Sequence, residues 1–380
     1  MKKTVLITGA RGFIGRNLAV RLRQKASLQL RELSRDSTTE ELGAWAGEAD
    51  VVIHLAGVNR TETVSDFHAA NVDLTDRLVS LIAAAGNRPH FIFASSIQAA
   101  LDNPYGRSKR GAEEVSEQWA REFGARLTVM RLKNVFGKWC RPNYNSVVAT
   151  FCYNIARGLP IRVDNPDHML DLVHVDDVVE AMIRVMESQA TPASALWVDD
   201  IPSQRISVGD LADRIRAFEA RAKTLLVPDM SDRFNRLLYG TFITYLEPRW
   251  WEYQLEKKED IRGDLAEFIK SPWFGQIFIS RTRPGVTRGN HYHHAKVEKF
   301  LVIAGSAVVR FRAVEGEEIL EFPVRGEEYR VLEIPPGFTH SITNVGTTEM
   351  ITLFWASEIF DSSHPDTTFL PVEAPIAVGQ

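Results

Sequence analysis

Cysteine is almost absent: Cys140 and Cys152 are the only two in 380 residues. Two thiols are too few for a disulfide framework or a thiolate metal cluster, and they fit a reducing compartment. Long hydrophobic runs are missing too, since no stretch offers the roughly 20 apolar residues that a membrane helix needs. The apolar start VLITGARGFIG is short, broken by glycines and without a small-residue cleavage site, so it does not read as a signal peptide. Positive charge is not in excess: 45 Lys and Arg against 49 Asp and Glu leave a formal net charge of -4. Nucleic-acid binding therefore has no basic footprint to rest on. A soluble, cytoplasmic protein is expected. With 44% hydrophobic residues, a chain of this length can bury one large core or two ordinary ones, and two domains are expected.

What is there begins at residue 4. TVLITG is rich in β-formers, GARGFIG follows at once, and GRNLAVRLRQ spaces its apolar residues as a helix does. In this strand-turn-helix order Gly9, Gly12 and Gly15 form a GxxGxxG pattern. Its glycines permit a sharp turn and close backbone approach, with the helix N-terminus facing a pyrophosphate. Thr8, Arg11, Phe13 and Ile14, between and beside the glycines, are further candidate cofactor contacts. The next strand, LQLRELS, ends at Ser34, Arg35 and Asp36. An acid at this place holds the ribose hydroxyls of NAD, and a basic residue the extra phosphate of NADP. Arg35, helped by Ser34 and Arg11, favours NADPH; the competing reading has Asp36 on the ribose. Strands at DVVIHLAG and HFIFASS, with a helix around Asn71 between them, continue the alternation and imply a doubly wound parallel sheet. Its cofactor site should lie along one edge, at the strand ends.

The chemistry is concentrated in ASSIQAALDNPYGRSK. Tyr105 and Lys109, four apart, share one face of a helix. A lysine near a phenol stabilises the phenolate and lowers its pKa, and Ser96, at the preceding strand end, can hydrogen-bond the same substrate oxygen. Ser95 is the alternative to Ser96. Such a trio suits hydride transfer to a ketone with Tyr105 as proton donor.

The stretches TGARGFIG, HLAG, ASS, YGRSK, RLKNVFG and DLVHVDDV resemble the extended short-chain dehydrogenase/reductase family, in its nucleotide-sugar branch, over about residues 1–245. The resemblance implies that Gly9, Gly12 and Gly15 meet the pyrophosphate, that Leu55, Ala56 and Gly57 lie beside the adenine half, and that Asn71 supports the cofactor. It implies a catalytic triad of Ser96, Tyr105 and Lys109, with Lys109 also on the cofactor, and a supporting role for Asn134 and Asp176. One departure stands out: only eight residues separate Ser96 from Tyr105. The acid pair that dehydratases of this branch carry is missing, so 4,6-dehydration is not expected. Between residues 146 and 245 the pattern is coarser, and this half should build the sugar pocket. Arg131, Lys133, Asn134, Arg141 and His168 are candidates to face a diphosphate or sugar, each equally readable as a surface or structural residue.

The texture changes near Pro248. Short β-rich runs separated by glycine and charged turns predict a β-sandwich or small barrel. In it, GNHYHHAKVEKF places His291 and His293 two apart, on one face of a strand; Glu298 can arrive from the next strand and His340, in PPGFTH, from a later one. Three imidazoles and a carboxylate suit a divalent ion such as Zn²⁺, Fe²⁺, Ni²⁺ or Mn²⁺ rather than Ca²⁺. GNHYHHAKVE and PPGFTHSITN resemble the two signature motifs of the cupin superfamily. By that resemblance His291, His293, Glu298 and His340 bind metal, while Gly289, Gly305, Gly337 and Asn344 are turn or scaffold positions.

The whole order, a reductase over 1–247 followed by an all-β cupin (jelly roll) over 248–380, is similar to the bifunctional capsular polysaccharide enzymes of the UDP-N-acetyl-L-fucosamine pathway. Those enzymes are cytoplasmic homodimers with a zinc-bearing cupin. The resemblance implies C3 epimerisation of UDP-2-acetamido-2,6-dideoxy-β-L-arabino-4-hexulose in the cupin. Reduction of C4 by NADPH then gives UDP-2-acetamido-2,6-dideoxy-β-L-talose. The chemistry is coherent, because a 4-ketone acidifies the C3 proton and the metal either polarises that carbonyl or is structural. His294, Lys296, Glu328, Tyr329 and Asp260 are candidate bases. Two alternatives remain: a plain 4-keto reductase whose cupin only dimerises the chain, and a sugar-nucleotide binding or scaffold protein.

Overall fold

In the computed structural model, residues 2–34, 36–61, 63–188, 195–256, 258–260, 263–265, 269, 275–358 and 363–373 are described. The first strands are β1 (Lys3–Thr8), β2 (Leu28–Leu33), β3 (Val51–His54), β4 (His90–Ser96), β5 (Leu127–Leu132), β6 (Asn134–Phe136), β7 (Met169–His174), β8 (Leu196–Val198) and β9 (Ser203–Ser207). Six of them form one sheet in the order β2-β1-β3-β4-β5-β8, with every neighbouring pair parallel. The chain moves outward from β1 to β2 and then crosses back to β3 on the other side, which makes the β1/β3 border the switch point where such sheets bind ligands.

Both faces are buried, and the period of two along each strand divides them. Val5, Ile7, Val51, Ile53, Ile92 and Met130 pack with Leu18 of the helix Phe13–Arg23 and Val178 of the helix Val175–Glu187. Leu6, Val52, Phe91, Phe93 and Val129 face the other way, onto Leu78 of Leu74–Ala84 and Trp119 of Pro104–Phe123. Helices on both faces of a parallel sheet are the doubly wound arrangement that the alternation of elements implied.

The later strands are β10 (Glu252–Gln254), β11 (Lys258–Asp260), β12 (Gly263–Leu265), β13 (Gln276–Thr282), β14 (Thr287–Tyr292), β15 (Glu298–Ala304), β16 (Ser306–Ala313), β17 (Ile319–Arg325), β18 (Arg330–Ile334), β19 (Phe338–Asn344), β20 (Met350–Ala356) and β21 (Thr368–Phe369). They build two five-stranded sheets, β10-β18-β15-β20-β13 and β17-β16-β19-β14-β21, whose neighbours are antiparallel. Phe300 on β15 meets His340 on β19 edge to face at 5.6 Å, so the inner faces of the two sheets touch. The jelly-roll expectation is met.

The compact units do not part at 247/248. Met1–Val147 with Met169–Ile206 form one unit; Val148–His168 with Ser207–Gln380 form the other. Helix gives way to strand near Pro248, as the texture of the sequence suggested, but the preceding helices pack with the β-sheets. Buried Arg221, in the short helix Arg221–Thr224, donates to Glu333 Oε1 on β18 at 3.1 Å and to the Trp250 carbonyl at 2.8 Å. Lys299 of β15 completes the cluster at 2.7 Å from the same Glu333 oxygen. Among the described residues no helix is long and apolar enough to cross a membrane.

Candidate active site and metal centre

The glycine turn after β1 is closed by its own backbone, with Gly12 N–H donating to the Gly9 carbonyl at 2.9 Å. Gly15 has no room for a side chain: a Cβ there would stand 2.2 Å from Gly9 O and 2.8 Å from Ala10 Cα. Gly15→Val is therefore expected to prise the turn from the helix Phe13–Arg23. Cofactor binding, read by nicotinamide fluorescence, should be lost, with a stability loss of roughly 1–3 kcal/mol for overpacking in thermal melts. Thr8 does not point its hydroxyl outward. It bonds His54 Nδ1 at 2.6 Å and accepts from Ala56 N–H at 3.2 Å, tying the ends of β1 and β3 together. Buried Asn71, in one wide π-helical turn, accepts from Val58 N–H and donates to Val58 O and to Ser108 Oγ. It thus clamps the Leu55–Val58 segment to the helix Pro104–Phe123. At the end of β2, Arg11 forms an exposed pair with Asp36. The Ser34 hydroxyl turns back on Asp36 N–H at 3.4 Å. Arg35 lies outside the described residues.

The helix Pro104–Phe123 starts where the shortened excursion ends. Pro104 opens it, and the Asn103 side chain caps Gly106 N–H at 2.8 Å. Gly106 lets the helix close onto the 3-10 turn Ile97–Ala100, because a Cβ there would fall 2.2 Å from Gln98 O. The eight residues between Ser96 and Tyr105 are thus a tight, capped turn. Strand alternation separates the two serines. Ser96 Oγ accepts from Gln98 N–H at 3.2 Å and lies on the Tyr105 side, where it acts on the phenol's pKa; Ser95 points to the other side and donates to Glu113 Oε1 at 2.5 Å.

Lys109 departs from the sequence expectation. Its Nζ donates to the Ala94 carbonyl at the end of β4, at 2.7 Å, and sits 4.5 Å from the Phe93 ring centre. The Tyr105 phenol is not lowered: burial raises its pKa, and the nearby Ser96 hydroxyl only partly opposes this. Burial also brings Lys109 down to about 8, with the Glu113 charge pulling upward. Tyr105 is thereby kept protonated. Glu113, unread in the sequence, is a buried hub that takes both Ser95 and a two-pronged Arg131 at 2.9 and 2.7 Å. Arg131 stacks on Trp197 at 4.6 Å and is structural in this setting. Lys133 donates to Ser203 at 2.7 Å, Arg141 lies over Tyr144 at 5.1 Å, and Asn134 and His168 are exposed. Asp176 receives the buried Lys138 ammonium at 2.9 Å, an architectural use of the DLVHVDDV stretch.

In the second unit, His291 (β14) pairs in register with His340 (β19), Glu298 opens β15 in the opposite sheet, and His293 follows just past the end of β14. A bulge with Asn290 in the left-handed region (φ 57) re-aims β14 at this point. One ligand atom from each of these four residues lies within 4.8 Å of the others. His293 Nε2 is 3.4 Å and His340 Nε2 3.8 Å from Glu298 Oε2. Among the described residues both imidazole nitrogens are buried without a hydrogen-bond partner, the signature of lone pairs meant for another group. Burial first, and the neighbouring His293, hold His291 and His340 below the usual histidine range. Burial pushes Glu298 up, but the neighbouring His293, His340 and Lys296 outweigh it and hold the carboxyl low. Three imidazoles converging on one carboxylate are a donor set for a divalent cation, and the residues present fit one.

Of the candidate bases, Lys296 is beside this set, with Nζ 3.4 Å from Glu298 Oε1 and 3.2 Å from Thr367 Oγ1. His294 packs on Tyr292 at 5.2 Å. Glu328 pairs with Arg330, and Tyr329 packs against a small cluster around Leu255 and Val331. The Asp260 side chain lies outside the described residues. Asp366, which no local pattern announced, grips the loop after His293. Its carboxyl is held low although burial pushes the other way, because the charges of His294 and His293 and two backbone amides prevail.

Comparison with known proteins agrees with both halves. The sequence matches the NAD dependent epimerase/dehydratase family over residues 5–196 and the polysaccharide biosynthesis C-terminal domain over residues 258–368. It is 41% identical over 363 residues to the UDP-2-acetamido-2,6-beta-L-arabino-hexul-4-ose reductase of Pseudomonas aeruginosa, covering 96% of this chain and 97% of that protein. Its fold is similar to the capsular polysaccharide assembling protein CapF from Staphylococcus aureus, with a TM-score of 0.66, 39% identity and coverage of 97% of this chain and 100% of the other. CapF with the inhibitor 3-isopropenyl-tropolone gives a TM-score of 0.61 at 36% identity, covering 97% and 100%. The chain belongs to the NAD dependent epimerase/dehydratase family, with a polysaccharide biosynthesis C-terminal domain joined to it.

Proposed function

We propose that the chain is a two-step nucleotide-sugar enzyme: it epimerises C3 of UDP-2-acetamido-2,6-dideoxy-β-L-arabino-4-hexulose and reduces the C4 ketone, giving UDP-2-acetamido-2,6-dideoxy-β-L-talose. Residues 1–247 serve the reduction and 248–380 the epimerisation. The observation that carries this reading is the coexistence of two intact sites, the Ser96–Tyr105–Lys109 arrangement and the four-ligand set, in a chain similar over nearly its full length to a reductase of that 4-keto sugar.

A bound reduced nicotinamide supplies a hydride to C4. Ser96 and Tyr105 receive the ketone oxygen, and the phenol, protonated and desolvated, gives its proton to the developing alkoxide. Lys109 holds the cofactor ribose and helps restore the Tyr105 proton. The glycine turn and Asn71 set the cofactor against that trio.

At C3 the ketone makes the adjacent proton acidic. A divalent cation, zinc in this proposal, held by His291, His293, Glu298 and His340 supplies positive charge that favours the enolate. Lys296, against Glu298, is the candidate for moving the proton. Inversion precedes reduction, because reduction consumes the ketone that makes inversion possible. A cytoplasmic homodimer completes the proposal.

NADPH is the proposed reductant, with Arg35, Ser34 and Arg11 around its 2′-phosphate. Arg11 is available to an anion at little cost, since its exposed pair with Asp36 is worth at most about 1 kcal/mol. Following consumption of the 4-keto sugar at equal NADPH and NADH tests both points. Faster turnover with NADPH is expected; a strong preference for NADH would reverse the cofactor assignment, and no turnover with either would remove the reductase reading.

A further inference from the structure

The turn between His293 and Glu298 carries two of the four ligand positions at its ends. Its backbone amides could point anywhere, since nothing in AKV fixes a turn. One residue from far along the chain fixes it. Asp366 Oδ1 accepts from His294 N–H at 2.7 Å, and Oδ2 accepts from Ala295 and Lys296 N–H, each at 2.7 Å. Three consecutive amides converging on one carboxylate are a closed anion nest, here filled by the protein itself. The Asp366 main chain adds a fourth contact, because its carbonyl lies 2.5 Å from His293 Nδ1. A carbonyl can only accept, so Nδ1 carries the proton and Nε2, the buried nitrogen without a partner, keeps its lone pair turned toward Glu298.

We infer that Asp366 is the positioning residue of the metal centre, its carboxylate ordering the His293–Glu298 turn and its carbonyl setting the His293 tautomer. This rests on the metal reading above. The segment bearing Asp366 is anchored independently of its side chain. β21 pairs with β14 through His291 and Tyr292, Leu370 N–H bonds the Asn290 carbonyl at 2.8 Å, and Arg312 holds the carbonyls of Pro371 and Val372. Substitution at 366 should therefore loosen the turn and leave the strand in place.

The test uses the full-length chain and its Asp366→Ala and Asp366→Asn variants, stripped of metal and titrated with zinc against a chromophoric chelator. Thermal melts are recorded without and with zinc. Removal of a group that orients a metal ligand costs about 10–100-fold in affinity, so the zinc Kd of Asp366→Ala should rise by that factor while saturation still reaches one zinc per chain. Asp366→Asn, keeping one acceptor oxygen, should fall between. The zinc-dependent rise in Tm should shrink in both, with the metal-free Tm close to that of the unaltered chain. An unchanged Kd in Asp366→Ala would overturn the inference, as would an equal loss of Tm with and without zinc, the mark of a purely structural aspartate. An unaltered chain that takes up no divalent metal would remove the metal reading, and this inference with it.

Discussion

Tyr105→Phe is expected to lower C4 reduction by about 10²–10⁴-fold, the range lost when a positioned acid is removed, while nicotinamide binding stays as it was. The ring remains to pack at 5.8 Å against Phe67, so the fold is undisturbed and the loss is in kcat. Lys109 provides the internal contrast. Its ammonium, brought down to about 8 by burial against the pull of Glu113, loses its proton as the pH rises through that value in the cofactor-free protein. Cofactor binding that needs the charged lysine should accordingly weaken on the alkaline side and be intact below it. Tyr105→Phe should retain this alkaline limb in binding, because the limb belongs to Lys109; Lys109→Met should abolish both the limb and tight binding. Full turnover by Tyr105→Phe, measured as 4-keto sugar consumed, would contradict the assignment of the proton donor.

The second large effect is expected at His340. It is wholly buried at the register position opposite His291, and its Nε2 has no hydrogen-bond partner among the described residues. His340→Ala removes one of four donors and leaves the Glu298 carboxylate in a hole with one imidazole fewer. Stoichiometric zinc should be lost on desalting, and with it the exchange of the C3 proton. Metal at about 1,000 times its Kd stabilises the folded state by about 4 kcal/mol, and the variant should forfeit that increment in zinc-containing melts. Retention of one zinc per chain through chelator treatment would exclude His340 as a ligand.

Features whose cause is local could be read from the sequence. GARGFIG between a strand and a helix marked the tight turn after β1, YGRSK put Tyr105 and Lys109 on one helical face, and HYHHAKVE with PPGFTH named a four-residue set that closes to within 4.8 Å. The alternation of β- and α-patterns carried the sheet and its two-sided burial. What was hidden depends on partners distant in sequence. Ser95 and Ser96 look alike until Glu113 claims the first. Lys109 was expected to act on the phenol directly, yet the Ala94 carbonyl, exposed where β4 ends, takes its ammonium, and burial then governs both residues. Arg131, a candidate for the sugar diphosphate, is spent on Glu113. Arg221 and Glu333, separated by more than a hundred residues, meet in the interior, a contact no local pattern shows. Asp366 lies in a stretch, SSHPDTTF, whose composition says only that it turns.

The division of labour between the two sites is tested most directly by incubating the zinc-loaded chain with the 4-keto UDP sugar in deuterated water without reduced nicotinamide. Deuterium at C3 is the expected result, abolished in His340→Ala and retained in Tyr105→Phe. Absence of exchange in a zinc-loaded chain that still reduces the ketone once NADPH is added would contradict the two-step proposal and leave a plain reductase.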